Sequence, residues 1–284
     1  MPQLFSLCEK SKVESTVVID TGNPSGVLGR SLPQGKLHDI LSILKKLQKS
    51  YNFGYNKIEY SKDKITKLNN LQFGYPHQET HCFRGYPLYV SLRQFIDTDA
   101  KYILHLDSDM MFYEETNFSW INEGIRVMEE NKDILCVLPR GGPPTKDGSL
   151  HQGSTPYEID EKRGLHLFKN FTSRHYLTHR ERFLSLLPLK PLWLSWREPV
   201  MSRLFGTGKM LCWETMVEYV LAKSPMWRAD LMSDQAWSLH PGDRSEEFYQ
   251  LLPQIINSVN RNEFPGEQRG HFDLRLCDWK YFLN

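Results

Sequence analysis

Tyr102-Ile103-Leu104-His105-Leu106, followed at once by Asp107-Ser108-Asp109-Met110, decides how this chain is read. A compact run of apolar and β-branched residues that stops at two carboxylates describes a buried strand ending in a loop. Upstream, Leu88, Leu92 and Phe95 recur at helical spacing, and Lys57-Ile58-Glu59-Tyr60 reads as a short strand. Residues 61–83 are polar and show no clear period. Leu37, Ile40, Leu41, Leu44 and Leu47 line one face of a helix. Thr16-Val17-Val18-Ile19 is a further strand, broken by Asp20-Thr21-Gly22-Asn23-Pro24. Downstream, Trp120, Ile121, Ile125 and Met128 mark a helix that Gly124 weakens, and Ile134–Leu138 is a strand stopped by Pro139. Strands alternating with helices predict an α/β fold around a mostly parallel sheet with crossover helices.

Beyond Pro139 the chain changes character. Residues 141–164 are rich in Gly, Pro, Ser and Thr and read as a long loop, a length that usually serves a function. Residues 166–183 read as strand leading into helix, 213–222 as helix, Ala236-Trp237-Ser238-Leu239 as a late strand, and 245–259 as an amphipathic helix. The expected organisation is a single domain of two halves, 1–140 and 141–284.

Composition narrows the class. The chain has 284 residues, 40% apolar and 24% charged, enough for a large core. Lys plus Arg total 35 against 34 for Asp plus Glu, so nothing predicts wholesale nucleic-acid binding. No apolar run approaches the ~20 residues of a spanning helix, which leaves only peripheral membrane contact. The five cysteines, Cys8, Cys82, Cys136, Cys212 and Cys277, are scattered without a CxxC pair, as expected in a reducing cytoplasm. The sequons at Asn117 and Asn170 read as chance matches in such a compartment.

Three features carry chemistry. Asp107 and Asp109 sit at the C-terminal end of a strand, where open parallel sheets bind ligands. Two carboxylates this close repel when ionised and favour a bound cation, and their oxygens suit Mg²⁺ or Mn²⁺ with phosphates completing the shell. The plainer alternative is a turn in which both aspartates accept loop amides. Glu214 follows Trp213 at a helix start, where the dipole favours a carboxylate; it reads either as a capping-region residue or as a general base. His240 precedes Pro241-Gly242 and reads either as a loop histidine or as an imidazole completing an oxygen-rich metal shell.

In their order along the chain, these features resemble GT-A glycosyltransferases, most closely inverting family 2-like bacterial members. Phe83-Arg84-Gly85-Tyr86-Pro87, Gly142-Pro143-Pro144-Thr145-Lys146-Asp147-Gly148 and residues 238–245 also resemble an uncharacterised branch of that family. The resemblance spans roughly residues 16–275 and implies a nucleotide-sugar donor and a glycan or other hydroxyl acceptor. It implies that Asp109 ligates the metal, that Asp107 contacts the donor ribose or metal-bound water, and that Asp20 binds the base. It further implies that Glu214 deprotonates the acceptor hydroxyl and that His240 reaches the metal. Arg84 is a candidate for neutralising the diphosphate, with a surface salt bridge as the alternative. The resemblance also implies a first central strand, whereas only residues 1–15 precede Thr16 and these read as the end of a helix. A sheet lacking that strand, in a truncated or degenerate copy, is the expectation.

Competing classes lack their marks. A nucleotidyltransferase would bring a Gly-rich phosphate loop near the N-terminus, and Gly206-Thr207-Gly208-Lys209-Met210 is not a P-loop. A phosphatase with a nucleophilic first Asp usually carries it on the first strand. No HExxH or GxSxG occurs. A pseudo-transferase that binds without turnover stays open.

Overall fold

The computed structural model describes residues 2–22, 37–151 and 155–283. Asn23 and Pro24, expected to end the first strand, lie outside them, as does 152–154 within the expected long loop.

The elements in chain order are α1 (Pro2–Lys10), β1 (Thr16–Ile19), α2 (Leu37–Leu47), β2 (Gly54–Lys57), α3 (Lys62–Phe73), α4 (Tyr89–Ile96), β3 (Tyr102–Leu106) and β4 (Met111–Glu114). Then come α5 (Trp120–Glu130), β5 (Ile134–Leu138), β6 (Arg140–Gly141), β7 (Tyr157–Asp160), β8 (Leu165–Phe168), β9 (His175–His179) and α6 (Arg180–Leu184). The chain closes with α7 (Glu198–Phe205), α8 (Trp213–Leu221), β10 (Trp227–Leu231), β11 (Ala236–Leu239), α9 (Glu246–Asn260) and α10 (Leu276–Leu283).

The class is α/β, but the expected mostly parallel sheet is corrected. The six-stranded sheet has the order β3-β9-β5-β10-β8-β7, and of its five pairings only β5 with β10 is parallel. The reason is β9, which inserts between β3 and β5 antiparallel to both. The expected loop at 141–164 also contains β7, which forms a hairpin with β8. The second short strand lies at Gly54–Lys57 rather than at Lys57–Tyr60, and the unreadable stretch 61–83 holds α3. Ser61 caps that helix by accepting from the Lys64 N–H, and Gly74 ends it at φ 74°, a left-handed conformation that a glycine adopts without steric cost.

Strand alternation divides the core into two faces. Tyr176 of β9 packs with α3, α4, α6 and α8 through Leu68, Leu92, Phe183 and Val217. Its neighbour Leu177 faces the other way, onto α1 and α5 through Leu7, Trp120 and Met128. Helices therefore cover both faces of the sheet. A three-stranded sheet, β4-β11-β6, packs against α9 and α10 around Trp237, Phe248 and Trp279. Strands β1 and β2 pair in parallel as a separate two-stranded sheet over Phe5, Leu44 and Phe53. Among the described residues no strand joins β1 to β3.

Gly124 weakens α5 as an isolated helix but permits its seating. A Cβ there would lie 2.9 Å from Leu177 Cδ2 and 3.2 Å from Val137 Cγ1. Gly124→Val should cost about 1–3 kcal/mol in urea unfolding, because the branched side chain pushes α5 off the sheet. An unchanged midpoint would show that helix and sheet are not in close contact.

Candidate functional site

The aspartate pair lies where the chain leaves one sheet for another. Strand β3 ends at Leu106 in the six-stranded sheet, and β4 begins at Met111 in the three-stranded one. Residues 107–110 make the crossing as a turn: the Asp107 N–H donates to Arg174 O at 2.7 Å, and the Met110 N–H donates to Asp107 O at 3.1 Å. The turn is built by backbone groups, leaving both carboxylates to side-chain partners. Asp107 Oδ1 lies 3.2 Å from His105 Nε2, and Arg174 donates to Oδ2 at 3.5 Å. Asp109 Oδ2 accepts from Arg244. The expected alternative, aspartates satisfied by loop amides, is not what the structure shows.

Strand register brings His240 to this crossing. Leu239 of β11 pairs with Met111 of β4 in antiparallel sense, so the next residue, His240, runs alongside Met110 and Asp109. His240 Nδ1 lies 2.8 Å from Asp273 Oδ1. An ionised carboxylate only accepts, so Nδ1 carries the proton of this hydrogen bond. The hydrogen bond from His240 holds the Asp273 carboxyl below its usual range. His240 Nε2 and Asp109 Oδ1 are both buried without a hydrogen-bond partner. Buried polar atoms are normally paired, and a histidine oriented by a carboxylate through its other nitrogen is the usual setting of a metal ligand. Asp109 Oδ1 and His240 Nε2 are thus two unpartnered polar atoms at the same crossing. Among the described residues no three His, Cys, Asp or Glu side chains form a ready-made cage. Mg²⁺ and Mn²⁺ are commonly held by one or two protein groups with substrate oxygens completing the shell.

Two adjacent residues just before β9 connect this turn to Glu214. Arg174 reaches Asp107, while the Ser173 N–H and hydroxyl donate to Glu214 Oε2 at 2.6 and 2.9 Å. Glu214 lies in the first turn of α8 and is half-buried. It lines a cavity of about 370 Å³ together with His175, Arg228, Asp230, Phe272 and Asp273. Asp273 thus faces the cavity and also orients His240.

The cavity floor is charged, which the sequence reading missed. Arg228 and Asp230, 4% and 1% exposed, form a bidentate pair at 2.8 and 2.6 Å, and Arg228 also donates to Asn170 Oδ1 at 3.1 Å. The sign was available: Trp227-Arg228-Ala229-Asp230-Leu231 places two opposite charges two apart in an otherwise apolar stretch, on one face if the stretch is a strand. His175 is fully buried, with Nε2 3.1 Å from Ser238 Oγ and Nδ1 unpartnered. Burial first, then the charges of Arg228, His105 and His240, hold it well below the ordinary histidine range, so it is neutral.

Two expected site residues stand apart from this cluster. Asp20, at the end of β1, has its own partners: the Tyr60 hydroxyl and Gly22 N–H donate to Oδ1 at 2.6 and 2.7 Å, and His81 lies 3.1 Å from Oδ2. Burial pushes this carboxyl up, but the hydrogen bonds from His81, Tyr60 and Gly22 prevail and leave it lowered. Arg84 is exposed, lies 5.3 Å over the Phe83 ring, and forms no salt bridge among the described residues. The scattered cysteines also meet: Cys82 and Cys212 bring their sulfurs to 3.4 Å across 130 positions, binding the Arg84 segment to the start of α8. No family model, curated protein or solved structure matches the chain.

Arg228→Met leaves Asp230 charged and unpaired in the cavity floor and should cost about 3–5 kcal/mol in urea unfolding. Adding Asp230→Leu should recover most of the loss. Equal costs for the single and double variants would mean that the two charges are not coupled.

Proposed function

We propose that this chain is a divalent-metal-dependent glycosyltransferase of the GT-A type, moving a sugar from a nucleoside-diphosphate donor to a hydroxyl acceptor with inversion. The observation that carries this reading is the pair of unpartnered buried atoms, Asp109 Oδ1 and His240 Nε2, set beside Asp107 and next to a cavity lined by Glu214. A divalent cation bound there supplies positive charge to the departing diphosphate. Asp273 holds the His240 imidazole in the tautomer that presents Nε2. Ser173 fixes Glu214 through Oε2, which directs Oε1 to take the proton from the attacking hydroxyl. Arg174, against Asp107, and Arg244, against Asp109, are cations placed to follow negative charge onto the donor phosphates. The buried Arg228–Asp230 pair offers fixed donors and acceptors to a polyhydroxylated acceptor in the cavity.

A second reading, binding without turnover, draws on the separation of β1–β2 from the six-stranded sheet. Asp20, the residue assigned to the base, is tied to His81 and Tyr60 rather than to the cluster around Asp109. Manganese-dependent nucleotide binding without sugar transfer to any acceptor would support that reading.

Nucleoside diphosphates should raise the melting temperature of the wild-type chain with Mn²⁺ and far less without it, since a ligand of the native state stabilises it. Asp109→Ala and His240→Ala should abolish the manganese-dependent part. Equal shifts in wild type and both variants would remove the metal site from the account. Glu214→Gln should keep the nucleotide-induced shift while turnover falls by roughly 10²-fold or more. Loss of nucleotide binding in that variant would make Glu214 a structural residue.

A further inference from the structure

Residues 194–205 carry the densest group of exposed large apolar side chains among the described residues. Trp196 is 78% exposed, Leu204 69% and Phe205 65%, and Leu194, Val200 and Met201 join them. Isolated exposed apolar residues are ordinary, but six within twelve positions form a contiguous strip along the chain and mark an interaction surface. In α7 only Ser202 is buried, so the helix turns its apolar side chains outward instead of into the core.

The strip is firmly seated from below. Leu194 N–H donates to Lys209 O at 2.9 Å, and Leu211 N–H donates to Leu192 O at 2.7 Å. The Lys209 N–H donates to Glu198 Oε2 at 2.8 Å, and Ser202 Oγ is bonded to the Tyr75 hydroxyl. Gly208 permits close packing, since a Cβ there would lie 2.7 Å from Glu198 O and 2.9 Å from the Trp193 ring. The base is therefore fixed, while among the described residues the apolar face stays exposed.

The charges around the strip are basic. Arg197, Arg203 and Lys209 are exposed and form no salt bridge among the described residues, with Arg197 lying 5.3 Å over the Trp196 ring. Glu198, the acidic residue of the segment, is turned inward onto Lys209 N. A short helix with Trp, Phe, Leu, Met and Val outward and unpaired Arg and Lys beside them matches the interfacial pattern, in which apolar side chains enter the acyl boundary and cations meet anionic headgroups. No helix of the described residues is long and apolar enough to span a bilayer, so such an attachment is peripheral.

We propose that residues 194–209 dock the chain on an anionic lipid surface, with Trp196, Leu204 and Phe205 inserted and Arg197, Arg203 and Lys209 at the headgroups. The attachment is independent of the transferase reading. The strip continues through residues 206–212 into α8, whose first turn carries Glu214.

Flotation with phosphatidylcholine vesicles, with and without phosphatidylglycerol, tests this on the intact chain. Wild type should float with the anionic vesicles, remain behind with the neutral ones, and be released as salt rises. Leu204→Ser/Phe205→Ser and Arg197→Glu/Arg203→Glu should each weaken flotation roughly tenfold or more while keeping the wild-type melting temperature, since these side chains are exposed. Failure of wild type to float with the anionic vesicles overturns the proposal. So does a wild-type dimer in solution that the Leu204/Phe205 variant dissociates, because the strip would then be covered by a second copy. Nucleotide binding is read separately on the same preparations, so loss of either result leaves the other intact.

Discussion

The candidate site depends on a single transfer of the chain between sheets at Asp107-Ser108-Asp109. A strand that continued in its own sheet would bury its side chains on the two faces and leave its end to solvent. Here β3 hands over to β4, and β4 pairs with β11, whose end delivers His240 to the same point. The backbone of 107–110 satisfies itself against Arg174 and within the turn, so the carboxylates are left to side-chain partners, His105 and Arg174 for Asp107 and Arg244 for Asp109. A backbone that needed those carboxylates as caps would have consumed them.

Strand β9 is the second determinant. Lying antiparallel between β3 and β5, it brings its first residues to the end where β3 finishes. Arg174 therefore reaches Asp107, and its neighbour Ser173 reaches Glu214. A purely parallel sheet would have put the beginning of that strand at the far end of the molecule. The same arrangement places buried His175 between the Arg228–Asp230 pair and the turn, where desolvation keeps it neutral.

Burying Arg228 with Asp230 is expensive unless every donor and acceptor is used. The bidentate geometry and Asn170 meet that demand on the guanidinium side. A pair of this kind contributes less to stability than well-packed apolar residues would, and its position on a cavity floor explains its presence better than core packing does. The exposed strip at 194–205 reflects a similar trade: apolar side chains that a monomer in water gains nothing by exposing, held out by a well-anchored base.

Much was legible in the residues alone. Periodicity located the strands at Thr16–Ile19, Tyr102–Leu106, Ile134–Leu138 and Ala236–Leu239, because alternation and β-branching are local properties. It also marked helices near 89–96, 120–130, 213–221 and 246–260. Asp107, Asp109, Glu214 and His240 were chosen from strand ends and a helix start; Asp107, Asp109 and His240 lie at the crossing from β3 to β4, and Glu214 is linked to it through the adjacent residues Ser173 and Arg174. Strand direction was not legible: β9 and β10 are short, and nothing within them says which neighbour they join or in which sense. The partners Arg174, Ser173, Asp273, Arg228 and Asp230 were invisible for the same reason, as was the meeting of Cys82 with Cys212. Local chemistry determined which segments extend, coil or break and which strand ends carry acidic or imidazole groups. Only tertiary structure decided which of them meet, because pairing and register are set by burial and backbone hydrogen bonds between segments far apart in the chain.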